Sequence, residues 1–272
     1  MIEPEKRAFV LRVAYDGTGF HGWQRQDDQR TVEHTLHQAL LAMDPDVSPP
    51  RGTSRTDAGV HARDQRVAFE AVRDIPARGW VLGTNQHLPP DVVVRAAQRV
   101  PVGFAPRFAS KGKRYEYSVA VDTVRDPFAD AWQWRVAASL DVARMNRAAV
   151  ALLGTHDFRA YRTARDEREN TMRTLTTLRI EERASDRVDP NVPRTLRFVV
   201  EGSAFMHNMV RIIVGSLVDI GAGRLGEEAL AEALVHGDRT KLGTTAPAHG
   251  LMLARADIEC PEMPDGEKDV WP

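Results

Sequence analysis

Between Pro101 and Ser110 the chain carries two prolines and a glycine, and this break limits the folds open to it more than any other feature. Proline fixes φ and lacks an N–H, so neither a central strand nor a helix runs through such a segment. On the N-terminal side, Phe9 to Ala14 is a short apolar-rich run ending in the turn Tyr15-Asp16-Gly17, which reads as a strand. Thr31 is placed to N-cap a helix whose apolar residues Val32, Leu36, Leu40 and Met43 recur at helical spacing, and Pro45, Pro49 and Pro50 end it. Val67–Phe69 and Val92–Ala97 read as strands with a helix around Ala77–Gln86 between them, so the first hundred residues read β-α-β-α-β. On the C-terminal side, Tyr115, Tyr117, Val119 and Val121 alternate with polar residues on one strand. A helix over Asp141–Leu153, closed by Gly154, precedes two long strands, Met172–Glu182 and Thr195–Val200, joined by a charged connector over Ala184–Pro193. Met206–Ile220 and Glu227–Val235 read as helices and Leu251–Ile258 as a last strand. The simplest architecture is α+β in two halves, 1–103 and 104–272, each a sheet with helices on one face.

A chain of 272 residues has ample core for two such halves, and 42% hydrophobic with 28% charged residues excludes a wholly disordered chain. Cys260 is the only cysteine, which rules out an internal disulfide and a multi-cysteine metal centre and fits a reducing cytoplasm. The longest apolar run, Met209–Ile220, contains Arg211 and Asp219, so no membrane span is expected. Met1–Arg7 mixes acids and bases, so no signal peptide is expected either. The net charge of −1 gives no hint of a nucleic-acid partner. Thirty-two of the 37 basic residues are arginine, the better bidentate phosphate ligand, although on composition alone codon bias is the favoured explanation of that excess.

Gly17-Thr18-Gly19-Phe20-His21-Gly22 matches the spacing of a dinucleotide fingerprint after a strand. The helix that follows starts too late to aim its N-terminus at a pyrophosphate, so a glycine-rich turn is the better reading and no nucleotide cofactor is expected. His34 and His37 lie three apart on a helix without a third ligand at a recognisable spacing, and no metal is expected. The segment Arg51–Ala62 is different in kind. Asp57 is flanked by the small residues Thr56, Ala58 and Gly59, which let a substrate approach its carboxylate, with Arg55 two residues before it. The bland alternative is an aspartate bonding its own turn. Between Val92 and Tyr115 six cations (Arg95, Arg99, Arg107, Lys111, Lys113, Arg114) occur without an acid, interleaved with Phe104, Phe108 and Tyr115, a pattern suited to phosphates and unstacked bases. A second arginine-rich stretch, from Arg159 to Arg173, is partly neutralised by Asp166, Glu167 and Glu169 and reads as a solvated loop. Arg211 interrupts an apolar helix and wants an acidic partner, for which Asp57 is one candidate.

Arg55-Thr56-Asp57-Ala58-Gly59-Val60-His61 resembles the catalytic loop of the tRNA pseudouridine synthase A family. The resemblance continues in Tyr15-Asp16-Gly17, Gly22-Trp23-Gln24-Arg25-Gln26, Asn85 with Leu88-Pro89, and Arg107-Phe108-Ala109 through Arg114-Tyr115-Glu116-Tyr117. It extends to Leu152-Leu153-Gly154 with His156-Asp157-Phe158, Ala204-Phe205 with Met209-Val210-Arg211, and Ala246-Pro247 with Gly250-Leu251. Ser54 is a departure, standing where the family usually has glycine.

The resemblance implies two ferredoxin-like, RNA-binding-type halves whose antiparallel sheets meet at a catalytic cleft, usually in a homodimer. It implies isomerisation of uridine to pseudouridine at positions 38, 39 and 40 of the tRNA anticodon arm, without cofactor or metal. By the resemblance Asp57 is the nucleophile, Arg211 its ion-pair partner, and Tyr115 and Leu251 hold the uracil. Arg55 would fill the space left by the flipped nucleotide, and Phe104, Arg107, Phe108, Lys111, Lys113 and Arg114 would hold RNA. The rival readings are a synthase acting on another RNA and a non-catalytic RNA-binding module, which would need no Asp57. A glycosidase-type hydrolase would need a second carboxylate, which the sequence does not place.

Overall fold

A computed structural model describes residues 5–163, 166, 168–182, 194–261, 263 and 269–271. The chain forms two compact units, Met1–Lys111 with Leu253–Pro272, and Gly112–Met252. In chain order the elements are β1 (Arg7–Tyr15), α1 (Val32–Met43), β2 (Arg51–Gly52), β3 (His61–Ala71), α2 (Ala77–His87) and β4 (Val92–Val100). Then come β5 (Ser110–Val121), β6 (Trp134–Val136), α3 (Val142–Ala149), β7 (Gly154–Asp157), β8 (Met172–Glu182) and β9 (Arg194–Gly202). Finally come α4 (Met209–Gly221), α5 (Ala229–His236), β10 (Leu251–Ile258) and β11 (Val270–Trp271).

In the first unit the strands lie in the order β11-β4-β1-β3-β10, with β2 added to β3. β1 runs antiparallel to both β3 and β4, and it is buried on both faces from Ala8 to Leu11, which is why Phe9–Ala14 is apolar but for the half-buried Arg12. On one face Phe9 pairs in register with Phe69, and Trp80 of α2 closes on both rings at centroid distances of 5.8 and 4.8 Å. All three side chains are fully buried, a contribution of about 1.5–3 kcal/mol each before entropy. On the other face Ala8, Val10 and Val100 are covered by Phe104, Ile258 and Cys260. Thr31 caps α1 as expected, accepting from His34 N–H. At the other end of α1 the buried Asp44 carboxylate accepts backbone N–H bonds from Val72, Arg73 and Asp46.

In the second unit the order is β5-β9-β8-β7, each neighbour antiparallel, with β6 parallel on β5. Tyr115, Tyr117 and Val119 of β5 are buried and their polar alternates are not, as the period of two predicts. Asp141 caps α3 by accepting from Arg144 N–H, but the α-helix ends at Ala149 and tightens into a 3₁₀ turn over Val150–Leu152 before Gly154, which has φ +97°. α4 begins at Met209, later than its apolar pattern suggests, because Asn208 takes a left-handed conformation with φ +61°. α4 is buried nearly all round. The connector expected over Ala184–Pro193 lies outside the described residues.

One device recurs in both units. Val94 of β4 lies beyond its pairing with β11, and both its backbone groups are taken by the Asn85 side-chain amide at 2.8 and 2.9 Å. Ile180 of β8 lies beyond its pairing with β7, and the Asn146 amide takes its N–H and carbonyl at 2.9 and 3.0 Å. Each outer strand thus has one open position closed by a helix-borne asparagine.

Candidate active site

The site is built around the segment that leaves the sheet after β2. Thr53 N–H still bonds to Arg66 carbonyl at 2.9 Å, and beyond it a side chain replaces the ladder. Gln65 of β3, fully buried, accepts from Thr53 Oγ1 at 2.8 Å and Ser54 N–H at 3.2 Å, and donates to Ser54 carbonyl at 2.6 Å. Arg55 then projects into solvent, Thr56 is buried, and Asp57 is half-buried as the first residue of a turn closed by Val60 N–H to Asp57 carbonyl at 3.1 Å. Tyr15, at the end of β1, places its hydroxyl 2.7 Å from Thr56 Oγ1. Trp23 N–H donates to Thr56 carbonyl at 3.0 Å.

The glycine-rich turn packs against this loop. Gly22 has φ +92°, and a side chain there would place Cβ 2.8 Å from Thr56 carbonyl oxygen. A Cβ at Gly17 would collide with the Val60 carbonyl. The first-turn donors of α1 are already used: Val32 N–H bonds to Gly22 carbonyl, Glu33 N–H to Trp23 carbonyl, and His34 N–H to Thr31. The N-terminus that a dinucleotide phosphate would occupy is therefore filled by the protein's own backbone. Asp16 braces the turn, accepting from Thr18 N–H and Oγ1, with His61 Nδ1 at 3.0 Å. Burial alone would raise the Asp16 pKa, but the Thr18 donors and His61 together hold it below the usual carboxylate range.

In the second unit Tyr115 is buried with its ring edge-on to Phe205 at 5.1 Å. Tyr117 is fully buried and donates to Pro247 carbonyl at 2.7 Å; burial raises its pKa, against the opposing influence of Arg211. Arg211 is half-buried, as its apolar neighbours imply. Its Nε donates to Ala246 carbonyl at 2.7 Å and one terminal nitrogen to Asn208 Oδ1 at 2.6 Å, while Ala246 N–H returns a bond to Arg211 carbonyl. Asn208, the left-handed residue before α4, thus orients the arginine, a contact that spacing did not reveal. Leu251 is buried at the start of β10.

The expected RNA-binding set is heterogeneous. Arg107 and Phe108 are exposed, Phe108 at 88%. Phe104 instead packs on Ala8, Val10 and Val100. Lys111 pairs with Glu259 at 2.6 Å, both side chains largely in solvent. Arg114 lies 3.1 Å from Glu116 and 3.7 Å from Glu201, so two carboxylates already neutralise it. Lys113 is half-buried.

Comparison with known proteins shows the family. The tRNA pseudouridine synthase family matches residues 148–257. A tRNA pseudouridine synthase A from Citrifermentans bemidjiense is 38% identical over 248 residues, 91% of this chain and 96% of the relative. Proteins of the same description from Halalkalibacterium halodurans and Myxococcus xanthus are each 39% identical, over 91% and 89% of this chain and the same shares of the relatives. The chain belongs to the tRNA pseudouridine synthase A family. Among the residues that sequence reasoning missed, Gln65 carried a readable signal. It shares the inward parity of Val67, Phe69 and Ala71 on β3, and a polar side chain on that face demands hydrogen-bond partners.

Proposed function

We propose that this chain isomerises uridine to pseudouridine in tRNA, with Asp57 as its essential carboxylate. The observation that carries the reading is 38% identity to a tRNA pseudouridine synthase A over nine-tenths of the chain, and the chain presents Asp57 half-buried on a braced turn. The reaction breaks the N1–C1′ bond, turns the uracil, joins C5 to C1′ and releases the C5 proton. Three routes use an ionised Asp57: attack on C1′, attack on the base, or removal of a sugar proton. Each needs the carboxylate open to a nucleotide brought out of its helix, and small neighbours on both sides provide that opening.

The finer assignments belong to the same proposal. The substrate uridines are positions 38, 39 and 40 of the anticodon arm. Arg55, exposed and two residues from Asp57, fills the space of the flipped nucleotide. Arg211, fixed by Ala246 and Asn208, keeps Asp57 ionised and oriented, while Tyr115 stacks on the uracil and Leu251 packs its other side. Arg107 and Phe108 supply exposed phosphate and base contacts. With these goes the family's architecture: ferredoxin-like halves whose sheets meet at a catalytic cleft, in a cytoplasmic homodimer. Among the described residues no helix is long and apolar enough to cross a membrane. Mapping pseudouridine in transcribed tRNA after incubation with the protein tests the reading. Pseudouridine confined to positions 38–40 is expected; pseudouridine elsewhere overturns the site assignment, and none anywhere overturns the activity.

A further inference from the structure

We propose that Gln65 and Tyr15 are positioning residues that set the Asp57 carboxylate, one by holding Ser54 and the other by holding Thr56; the proposal rests on the assignment of Asp57 as the reacting group. The loop from Ser54 to Asp57 has left the sheet, so its backbone is not held by a strand partner. Gln65 substitutes for that partner. Its primary amide offers an acceptor and a donor side by side, as a peptide unit does, and it engages both Ser54 N–H and Ser54 carbonyl while also accepting from Thr53. A fully buried amide with three such bonds resists displacement, because any movement of Ser54 leaves polar groups unpaired in the interior. Two residues further along, the Tyr15 hydroxyl meets Thr56 Oγ1 in a buried hydrogen bond, from a ring that is 5% exposed and lies against Trp23 at a centroid distance of 6.2 Å. Thr56 is held a second time, by Trp23 N–H on its carbonyl. Arg55 and Asp57 therefore alternate with two fixed residues, Ser54 and Thr56. The residues that act are each one peptide away from a residue that cannot move.

This arrangement predicts an effect on turnover rather than on RNA affinity. Neither Gln65 nor Tyr15 offers exposed surface to RNA, and a carboxylate displaced by about 1 Å loses on the order of a hundredfold in rate. The experiment measures steady-state tritium release from C5-labelled tRNA, thermal melting and tRNA affinity for Gln65→Leu, Tyr15→Phe and an Asp57→Asn control. Tyr15→Phe removes one oxygen and keeps the ring, so it tests the proposal even where melting shows Gln65→Leu to be destabilised. Expected are a kcat loss of about tenfold for Tyr15→Phe and about a hundredfold for Gln65→Leu, each with KM and tRNA affinity within about twofold of wild type. Folded variants with wild-type kcat, or a change confined to KM, overturn the positioning roles while an inactive Asp57→Asn leaves the nucleophile assignment intact. An active Asp57→Asn overturns the underlying assignment instead.

Discussion

At the scale of single residues, the loop that carries Asp57 contains one buried side-chain group without a hydrogen bond among the described residues. Ser54 Oγ is buried without a hydrogen-bond partner among the described residues, and its backbone is outside the left-handed region, so serine stands there without backbone strain. Ser54→Ala is expected to leave turnover unchanged and to keep or raise stability by up to about 1 kcal/mol in urea denaturation, since it removes a desolvated hydroxyl. A loss of more than 1 kcal/mol by the same measure would show that the hydroxyl has a partner after all. Asp44 is the opposite case. Burial pushes its pKa up, but backbone N–H groups of Arg73, Val72 and Asp46 outweigh that and hold it below the ordinary carboxylate value. A depressed folded pKa contributes stability that is present above the unfolded value, about 3.9, and lost as pH falls through the folded value. Wild type is therefore expected to lose stability below about pH 4 more steeply than Asp44→Asn, as read from urea midpoints across that range. Parallel curves would assign the acid sensitivity to other groups.

At the scale of elements, local signals were legible and long-range ones were not. The Thr31 cap and the alternation of β5 from Tyr115 to Val119 depend on residues within a few positions of one another, and they stand where the sequence places them. β2, β6, β7 and β11 have two to four residues each, too few to show a period. Chain order gives no means of seeing that residues from Leu253 return to the first unit. The C-terminal segment makes that return consequential. α2 has no side-chain cap of its own at Pro76, and Asp269, 192 residues from Ala77, accepts the Ala77 N–H with both carboxylate oxygens. Asp269 carbonyl also takes Arg99 N–H, β11 covers β4 at Ala97 and Gln98, and Arg78 lies 5.3 Å over the Trp271 ring. Asp269→Ala should cost about 1 kcal/mol, as loss of an N-cap does, and should increase proteolysis near the C-terminus. Unchanged stability and unchanged cleavage would show the segment to be a passive cover.

At the scale of the whole molecule, a near-neutral protein must bind a polyanion through local charge, and the ion pairs decide which cations are available. Arg114 is committed to Glu116 and Glu201, whereas Arg107 is exposed. Arg107→Ala is expected to reduce the slope of log affinity for tRNA against log salt by about 0.7–0.9, the value of one phosphate contact. Arg114→Ala is expected to change that slope little, and equal losses in the two variants would contradict the distinction. The motif that names the chemistry was legible because it is contiguous, from Arg55 to His61. The bonds that brace it from Tyr15, Trp23 and Gln65 were not, because they join separate strands and loops. The proposed chemistry stands on Asp57. Tritium released from C5-labelled uridine in tRNA reports the replacement of the C5–H bond by the C5–C1′ bond, and comparing wild type with Asp57→Asn tests the claim most directly. The amide keeps the shape of the side chain and removes its charge, so the folded variant is predicted to bind tRNA and to release tritium several orders of magnitude more slowly. Release above about a tenth of the wild-type rate would contradict the account.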